Sequence, residues 1–346
     1  MSSTSLTSDI PKGSIVLVTG ATGFIGSHTV VELLQKGYKV RGTVRNLEQA
    51  SWLPALPRIK PYADKGDLEL VEVPDLGVPR AFDDAVRGVS AIINVAAITS
   101  FDLDPNNVIP ADIQGITSIL ESAMTQPTVR ALVHTSSILA STMLMPGLDH
   151  DVGPDLFNDL AVQLAWAPPP HGPSQPILVY AAGKVESDKA LWKFVDEHKP
   201  KFRVNAVLPS AVVGEPLNQK HVDNPAVYVR WVTDEKTDNL NGMPAFYAID
   251  VGDTARLHVA AALDPEVNAK RMHTWGVKGN WNDVLAVLRK LRPQRKFMAD
   301  MADPKQLSIT TDETLYRELL KKWFGQDDWV SLEGMVTNNF KGGYLD

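Results

Sequence analysis

Residues 19–26, Thr19-Gly20-Ala21-Thr22-Gly23-Phe24-Ile25-Gly26, decide the fold. Ile15-Val16-Leu17-Val18 runs straight into them, an unbroken apolar string that reads as a buried parallel strand. Beyond them, Phe24, Ile25, Val30, Val31, Leu33 and Leu34 recur at helical spacing. Strand, glycine turn, helix is the context that a dinucleotide fingerprint requires. The glycines let the chain turn tightly and let a pyrophosphate approach bare backbone. The N–H groups at the helix start, with the helix dipole behind them, then face the phosphates. A glycine pattern alone is equally a plain turn. The strand and helix on either side favour the nucleotide site.

Working outward, Gly37 ends the first helix and Tyr38 to Val44 reads as a second strand, with Arg45 at its end. In a doubly wound fold this place meets the adenosine ribose, and an acidic residue there would suit NAD. Arg45 offers instead a charged planar fork suited to the 2′-phosphate of NADP, or is a plain surface arginine. Further strands are expected at Leu68 to Val73, Val89 to Val95, Ala131 to Val133 and Phe202 to Leu208. Their carboxyl ends deliver Asp75-Leu76, Ala96-Ala97, Thr135-Ser136-Ser137 and Pro209-Ser210, and ligands of open α/β sheets bind outside such ends. Asp75 reads as an adenine contact or as a turn cap. Ala96 and Ala97 read as small residues beside a cofactor or as tight packing.

Helices are expected over Asp104 to Met124, from Tyr180 to about His198, Asp250 to Leu263 and Trp281 to Leu291. Residues 141–176 are irregular and include the proline cluster Pro168-Pro169-Pro170, which no helix interior tolerates. The expected fold class is α/β, a Rossmann-type doubly wound parallel sheet with a smaller carboxyl-terminal substrate lobe. Its expected divisions are a flexible lead over 1–12, a dinucleotide-binding core over 13–210, and a lobe over 211–346 of which about 245–265 returns to the core. Tyr228, Trp231, Met243 and Phe246 form either an apolar substrate wall or simply the packing of that lobe.

Bulk composition narrows the class. The 346 residues are 44% hydrophobic and 22% charged, with a net charge of −7, which is ordinary for a globular enzyme. That balance gives no electrostatic case for nucleic acid or an anionic membrane. Cysteine is absent, which rules out disulfides and thiolate chemistry. The polar start MSSTSLTSDIPKG has no apolar signal region, and no apolar stretch approaches the ~20 residues that span a bilayer. A cytoplasmic protein, monomer or homodimer, is expected. The histidines lack metal-ligand spacing, so no metal is expected. Ser137 has no G-x-S-x-G elbow around it, which argues against a hydrolase.

Tyr180 and Lys184 stand four apart and share one helical face. A carbonyl that gains hydride becomes an alkoxide and needs a proton. A tyrosine of pKa ~10 serves better if an ammonium beside it lowers that pKa, and lowering it by ~3 units corresponds to about 4 kcal/mol. A serine hydroxyl can hold the carbonyl oxygen as charge develops. With GSIVLVTGATGFIGSH (13–28), GYKVRGTVRN (37–46), HTSS (134–137), VYAAGK (179–184), ALWKFVDEHKP (190–200), NAVLPS (205–210) and IDVGDTARLHVAA (249–261), the chain resembles extended short-chain dehydrogenases/reductases. Within them it is most similar to the dihydroflavonol-reductase-like group with its fungal NADPH-dependent aldehyde and carbonyl reductases. The resemblance runs from about Gly13 to Trp329.

It implies NADPH/NADP+ as cofactor and a small-molecule carbonyl substrate, an aldehyde or ketone. It implies Ser137 as catalytic serine, with Ser136 as fallback, Tyr180 as proton donor, and Lys184 as its tuning partner and a ribose ligand. Gly20, Gly23, Phe24, Ile25 and Gly26 match the pyrophosphate turn, Arg45 the phosphate reader and Asp75-Leu76 the adenine contact. Ala96 and Ala97 line the cleft, and Pro209-Ser210 faces the nicotinamide. Two departures stand out. Asp112-Ile113-Gln114-Gly115 occupies the place of a relay asparagine, and the stretch after Arg45 lacks the lysine that some relatives carry. The rival expectations are a nucleotide-sugar epimerase or dehydratase and an NADP-binding redox sensor without turnover.

Overall fold

Each central strand sends alternate residues to opposite faces, and both faces are covered, which is why the strands read as unbroken apolar strings. The computed structural model describes residues 8–97, 102–222 and 228–345. The main sheet comprises β1 (Ile15–Thr19), β2 (Lys39–Val44), β3 (Leu68–Glu72), β4 (Ala91–Asn94), β5 (Ala131–Thr135), β6 (Arg203–Pro209) and β9 (Lys270–Thr274). Its order is β3-β2-β1-β4-β5-β6-β9, parallel throughout. Strand order reverses between β1 and β4, and a crevice opens at such a switch point. Val16, Val18, Ile93 and Val133 pack toward one helical layer, while Leu17, Ile92 and Leu132 pack toward the other.

The first layer contains the helices Phe24–Gln35, Val251–Leu263 and Thr314–Phe324. The second contains Pro105–Met124 and Gln175–His198, which pack extensively on each other. Asp104 caps the former by accepting the Asn106 N–H, with Pro105 in the first turn, where its missing donor costs nothing. A second sheet, β10-β8-β7, sets β8 (Ala245–Asp250) parallel to β7 (Ala211–Val213) and antiparallel to β10 (Val277–Asn280). The helices Trp281–Leu291 and Leu332–Asn339 cover it, and Trp281 lies at the centre of that core.

The structure departs from the sequence expectations in four places, the first being the helix Asp159–Ala165, capped by Asn158, inside the stretch 141–176 expected to be irregular. From Ser8 onward the flexible lead is instead docked: Ile10 is buried, its carbonyl accepts the Tyr38 hydroxyl at 3.1 Å, and Asp9 pairs with Arg203 at 2.6 Å. The cause is one apolar side chain that a polar average conceals. Residues 1–7 lie outside the described residues. The active-site helix begins at Gln175, not Tyr180, because Pro176 fits a first turn. Lys270–Thr274 joins the main sheet as a seventh strand, so the return to the core extends past Leu263. Its text, KRMHT, is too polar to read as a buried strand.

That strand carries Arg271, which meets Asp188 of the Gln175–His198 helix at 2.9 Å with both side chains almost wholly buried. The guanidinium also donates to the Pro154 and Leu156 carbonyls and to Ser141 Oγ, and stacks over Phe157 at 4.1 Å. Removing one partner of a buried pair strands the other charge. Arg271→Leu should therefore lose about 3–5 kcal/mol in urea unfolding, with partial recovery on adding Asp188→Asn; a loss under about 1 kcal/mol would show that the pair is not a stabilising unit.

His258 is wholly buried, with Nδ1 donating to the Thr254 carbonyl and Nε2 accepting the Thr135 hydroxyl, both at 2.8 Å. Burial holds its pKa down at about 4. The unfolded chain then binds the extra proton first as pH falls, so this contribution is complete above about pH 6.5 and is lost toward pH 4. In His258→Gln, the slope of unfolding free energy between those limits should flatten by about 1.4 kcal/mol per pH unit. An unchanged slope would remove His258 from the titration.

Candidate active site

The fingerprint turn is built by backbone packing on backbone. Gly20 has φ +64°, and a Cβ on it would lie 3.2 Å from Ala96 Cα. A Cβ on Gly26 would lie 2.1 Å from the Gly20 carbonyl oxygen, which no side chain tolerates. The following helix has no side-chain cap at Gly23, so the first-turn N–H groups of Phe24, Ile25 and Gly26 lack intrahelical acceptors. Bare glycine backbone and uncapped donors at a helix start fit a diphosphate. The Thr19 hydroxyl donates to Asn94 Oδ1 at 2.7 Å and accepts the Ala96 N–H at 3.0 Å, binding the ends of β1 and β4 together beside the turn. Ala97 follows, part-buried. Arg45 is exposed just past β2. Asp75 Oδ1 accepts the Gly77 N–H at 2.8 Å, so this carboxylate caps its own turn, with Leu76 part-buried inside it.

On the Gln175–His198 helix, Tyr180, Lys184 and Asp188 fall at i, i+4 and i+8, one above the other. Lys184 Nζ lies 5.9 Å from the Tyr180 ring centroid and 3.4 Å from the Thr135 carbonyl oxygen. Ser137 stands beside the Tyr180 phenol, and its hydroxyl oxygen accepts the Leu139 N–H at 3.2 Å. Ser136 faces Asp188 instead, so of the two serines only Ser137 meets the phenol.

The electrostatics differ from the sequence expectation. Burial pushes the Tyr180 phenol up to about 12, the Ser137 hydrogen bond opposes that rise, and the Asp112 carboxylate adds to it. Burial lowers the Lys184 ammonium, against the opposing pull of Asp112 and Asp188. Asp112 reaches this place from the Pro105–Met124 helix because position 183 is glycine: a Cβ there would lie 2.5 Å from Asp112 Oδ2. Sequence reading gives Asp112 no part, and its pairing with Gly183 exists only in three dimensions.

Elsewhere the placements are mostly structural. Pro209 ends β6, and the Ser210 hydroxyl is spent on the Trp275 carbonyl at 2.6 Å. Trp231, Met243 and Phe246 pack around Trp281, which donates to the Met243 carbonyl, so they contribute to the lobe core. The Tyr228 side chain lies outside the described residues. Among the described residues no cluster has the makings of a metal site, and no helix is long and apolar enough to cross a membrane.

Sequence reading also misses the stretch 214–222, which leaves β7 and crosses back over the fingerprint. His28 Nε2 donates to the Glu215 carbonyl at 2.9 Å. His221 Nδ1 accepts the Leu217 N–H, which leaves its Nε2 to donate to the Thr22 carbonyl at 3.1 Å. Both imidazoles are held neutral by burial, His28 down at about 4.

The sequence profile of the NAD dependent epimerase/dehydratase family matches residues 16–273. An NAD-dependent epimerase/dehydratase of Aspergillus terreus is 36% identical over 331 residues, covering 94% of this chain and 95% of its own. Aldehyde reductase 2 of Sporidiobolus salmonicolor is 33% identical over 333 residues, covering 95% and 96%. The crystal structure of yeast methylglyoxal/isovaleraldehyde reductase Gre2 complexed with NADPH aligns with a TM-score of 0.76 at 24% identity, over 94% of this chain and 96% of that one, and shares the Rossmann-like fold. On the profile match and on full-length likeness of this degree, the chain belongs to the NAD dependent epimerase/dehydratase family, of the extended short-chain dehydrogenase/reductase type.

Proposed function

We propose that the protein is an NADPH-dependent carbonyl reductase acting on an aldehyde or ketone, in the range of bulky aromatic aldehydes and keto esters. One observation carries this reading: Tyr180, beside Ser137, stands one helical turn from the buried side chain of Lys184, at the carboxyl end of β5. Relatives named aldehyde reductase and ketoreductase support the carbonyl class. Arg45 at the end of β2 supports NADPH over NADH, because a guanidinium meets a 2′-phosphate where an acid would meet a free hydroxyl. Arg45 also disfavours an epimerase that holds NAD.

A bound nicotinamide would supply hydride to the carbonyl carbon. Ser137 holds the carbonyl oxygen by hydrogen bond, and Tyr180 gives that oxygen its proton. With a pKa pushed up to about 12, the phenol is fully protonated at neutral pH, as a donor must be. An alkoxide is a far stronger base than a phenolate, so the transfer remains downhill. Lys184 stabilises the phenolate left behind, and Asp112 and Asp188 keep that lysine charged in its buried position.

Pure protein incubated with NADPH and a panel of aromatic aldehydes and β-keto esters should oxidise the cofactor, followed by absorbance. Silence across the panel with NADPH still bound would favour a sensor. Tyr180→Phe should lose at least about a hundredfold in kcat while cofactor affinity holds, as expected for removal of a general acid. Turnover near the wild-type level would take the acid role from Tyr180. Arg45→Asp should weaken NADPH by an order of magnitude or more and leave NADH within about twofold, a split that equilibrium titration measures directly. Equal effects on the two cofactors would defeat the phosphate assignment.

A further inference from the structure

We propose that Lys220 is a second cation for the 2′-phosphate, brought to it from the lobe by the strap over residues 214–222. The inference rests on the NADPH reading above. A ribose 2′-phosphate is close to doubly charged, yet Arg45 is the only cation between positions 45 and 52, a stretch that also holds Glu48. The second positive charge comes from elsewhere in the chain. Lys220 Nζ donates to Gln49 Oε1 at 3.3 Å. Gln49 closes the turn that begins just after Arg45, its N–H bonded to Asn46 Oδ1 at 2.9 Å. The lysine therefore stands over the turn on which Arg45 is mounted.

Its place there is fixed by what surrounds it. The next residue, His221, is buried, packs at 5.5 Å from both the Phe24 and the Trp52 rings, and donates to the Thr22 carbonyl of the fingerprint. Earlier in the strap, Glu215 forms a two-pronged pair with Arg58 at 2.6 and 3.2 Å, and its carbonyl accepts His28. The strap thus fastens to both walls of the groove, the fingerprint helix on one side and the 49–58 segment on the other. Lys220 itself is exposed, and Gln49 is a neutral partner. An ammonium has three donors, and exchanging an amide oxygen for a phosphate oxygen replaces a neutral hydrogen bond by a charge-assisted one. The phosphate would then be read from two sides, by Arg45 from the sheet and by Lys220 from the strap, so binding NADPH also holds the strap closed.

The test is equilibrium binding, read from the fluorescence of the bound dihydronicotinamide for NADPH and NADH, and from displacement of NADPH by adenosine 2′,5′-bisphosphate. Lys220→Gln should weaken NADPH and the bisphosphate about tenfold, the size of one charge-assisted hydrogen bond, and leave NADH within about twofold. Lys220→Arg should retain most of the affinity. Equal weakening of NADPH and NADH would make Lys220 a mere strap fastener and overturn the proposal, as would no change in either. If Arg45→Asp discriminates between the cofactors and Lys220→Gln does not, this proposal alone fails. A wild-type protein with no preference for NADPH sinks the NADPH reading and this proposal with it.

Discussion

Lys184 is a charge taken out of water, and the arrangement around it follows from keeping that charge in place. An isolated ammonium in such surroundings would simply lose its proton. Here the Thr135 carbonyl, Asp112 and Asp188 act against that loss from three different elements. Asp188 in turn is buried and needs Arg271, and Arg271 gathers the carbonyls of 154 and 156 and the hydroxyl of Ser141. One cation at the reacting end is thereby coupled to the last strand of the main sheet and to the loop that follows Ser137. Tyr180 stands one turn above that lysine, beside Ser137.

Much of this was legible in the chain. The apolar string of β1, the glycines after it and the recurrence of Val30, Val31, Leu33 and Leu34 specify a strand, a turn and a helix with a single meaning. Tyr180 and Lys184 could be placed on one face by counting, and the carboxyl end of β5 led to Ser137. The parts that stayed hidden depend on contacts between distant segments. Asp112 looks like any polar helix residue until Gly183 is seen to make room for it. Arg271 sits in a strand whose text is charged because it is half a salt bridge. The apolar residues of the lobe, Trp231, Met243 and Phe246, read equally as a binding wall or as packing, because an apolar side chain reads the same whether it faces a ligand or a neighbour.

The two helical layers have separate duties. The layer of Phe24–Gln35 and Val251–Leu263 presents the uncapped donors of the fingerprint and supports the strap through His28. The layer of Pro105–Met124 and Gln175–His198 holds Asp112, Tyr180, Lys184 and Asp188. They meet at the ends of β1 and β4, where Thr19 and Asn94 join through one short hydrogen bond.

The position of Arg271 has a bearing on how the molecule comes into being. The candidate site residues Ser137, Tyr180 and Lys184 all lie before position 190, yet the partner of Asp188 is made some eighty residues later. A growing chain that already holds Ser137, Tyr180 and Lys184 has yet to make the cation that pairs with Asp188 and gathers the carbonyls of 154 and 156. The Arg271–Asp188 pair therefore forms only once the strand Lys270–Thr274 has been made.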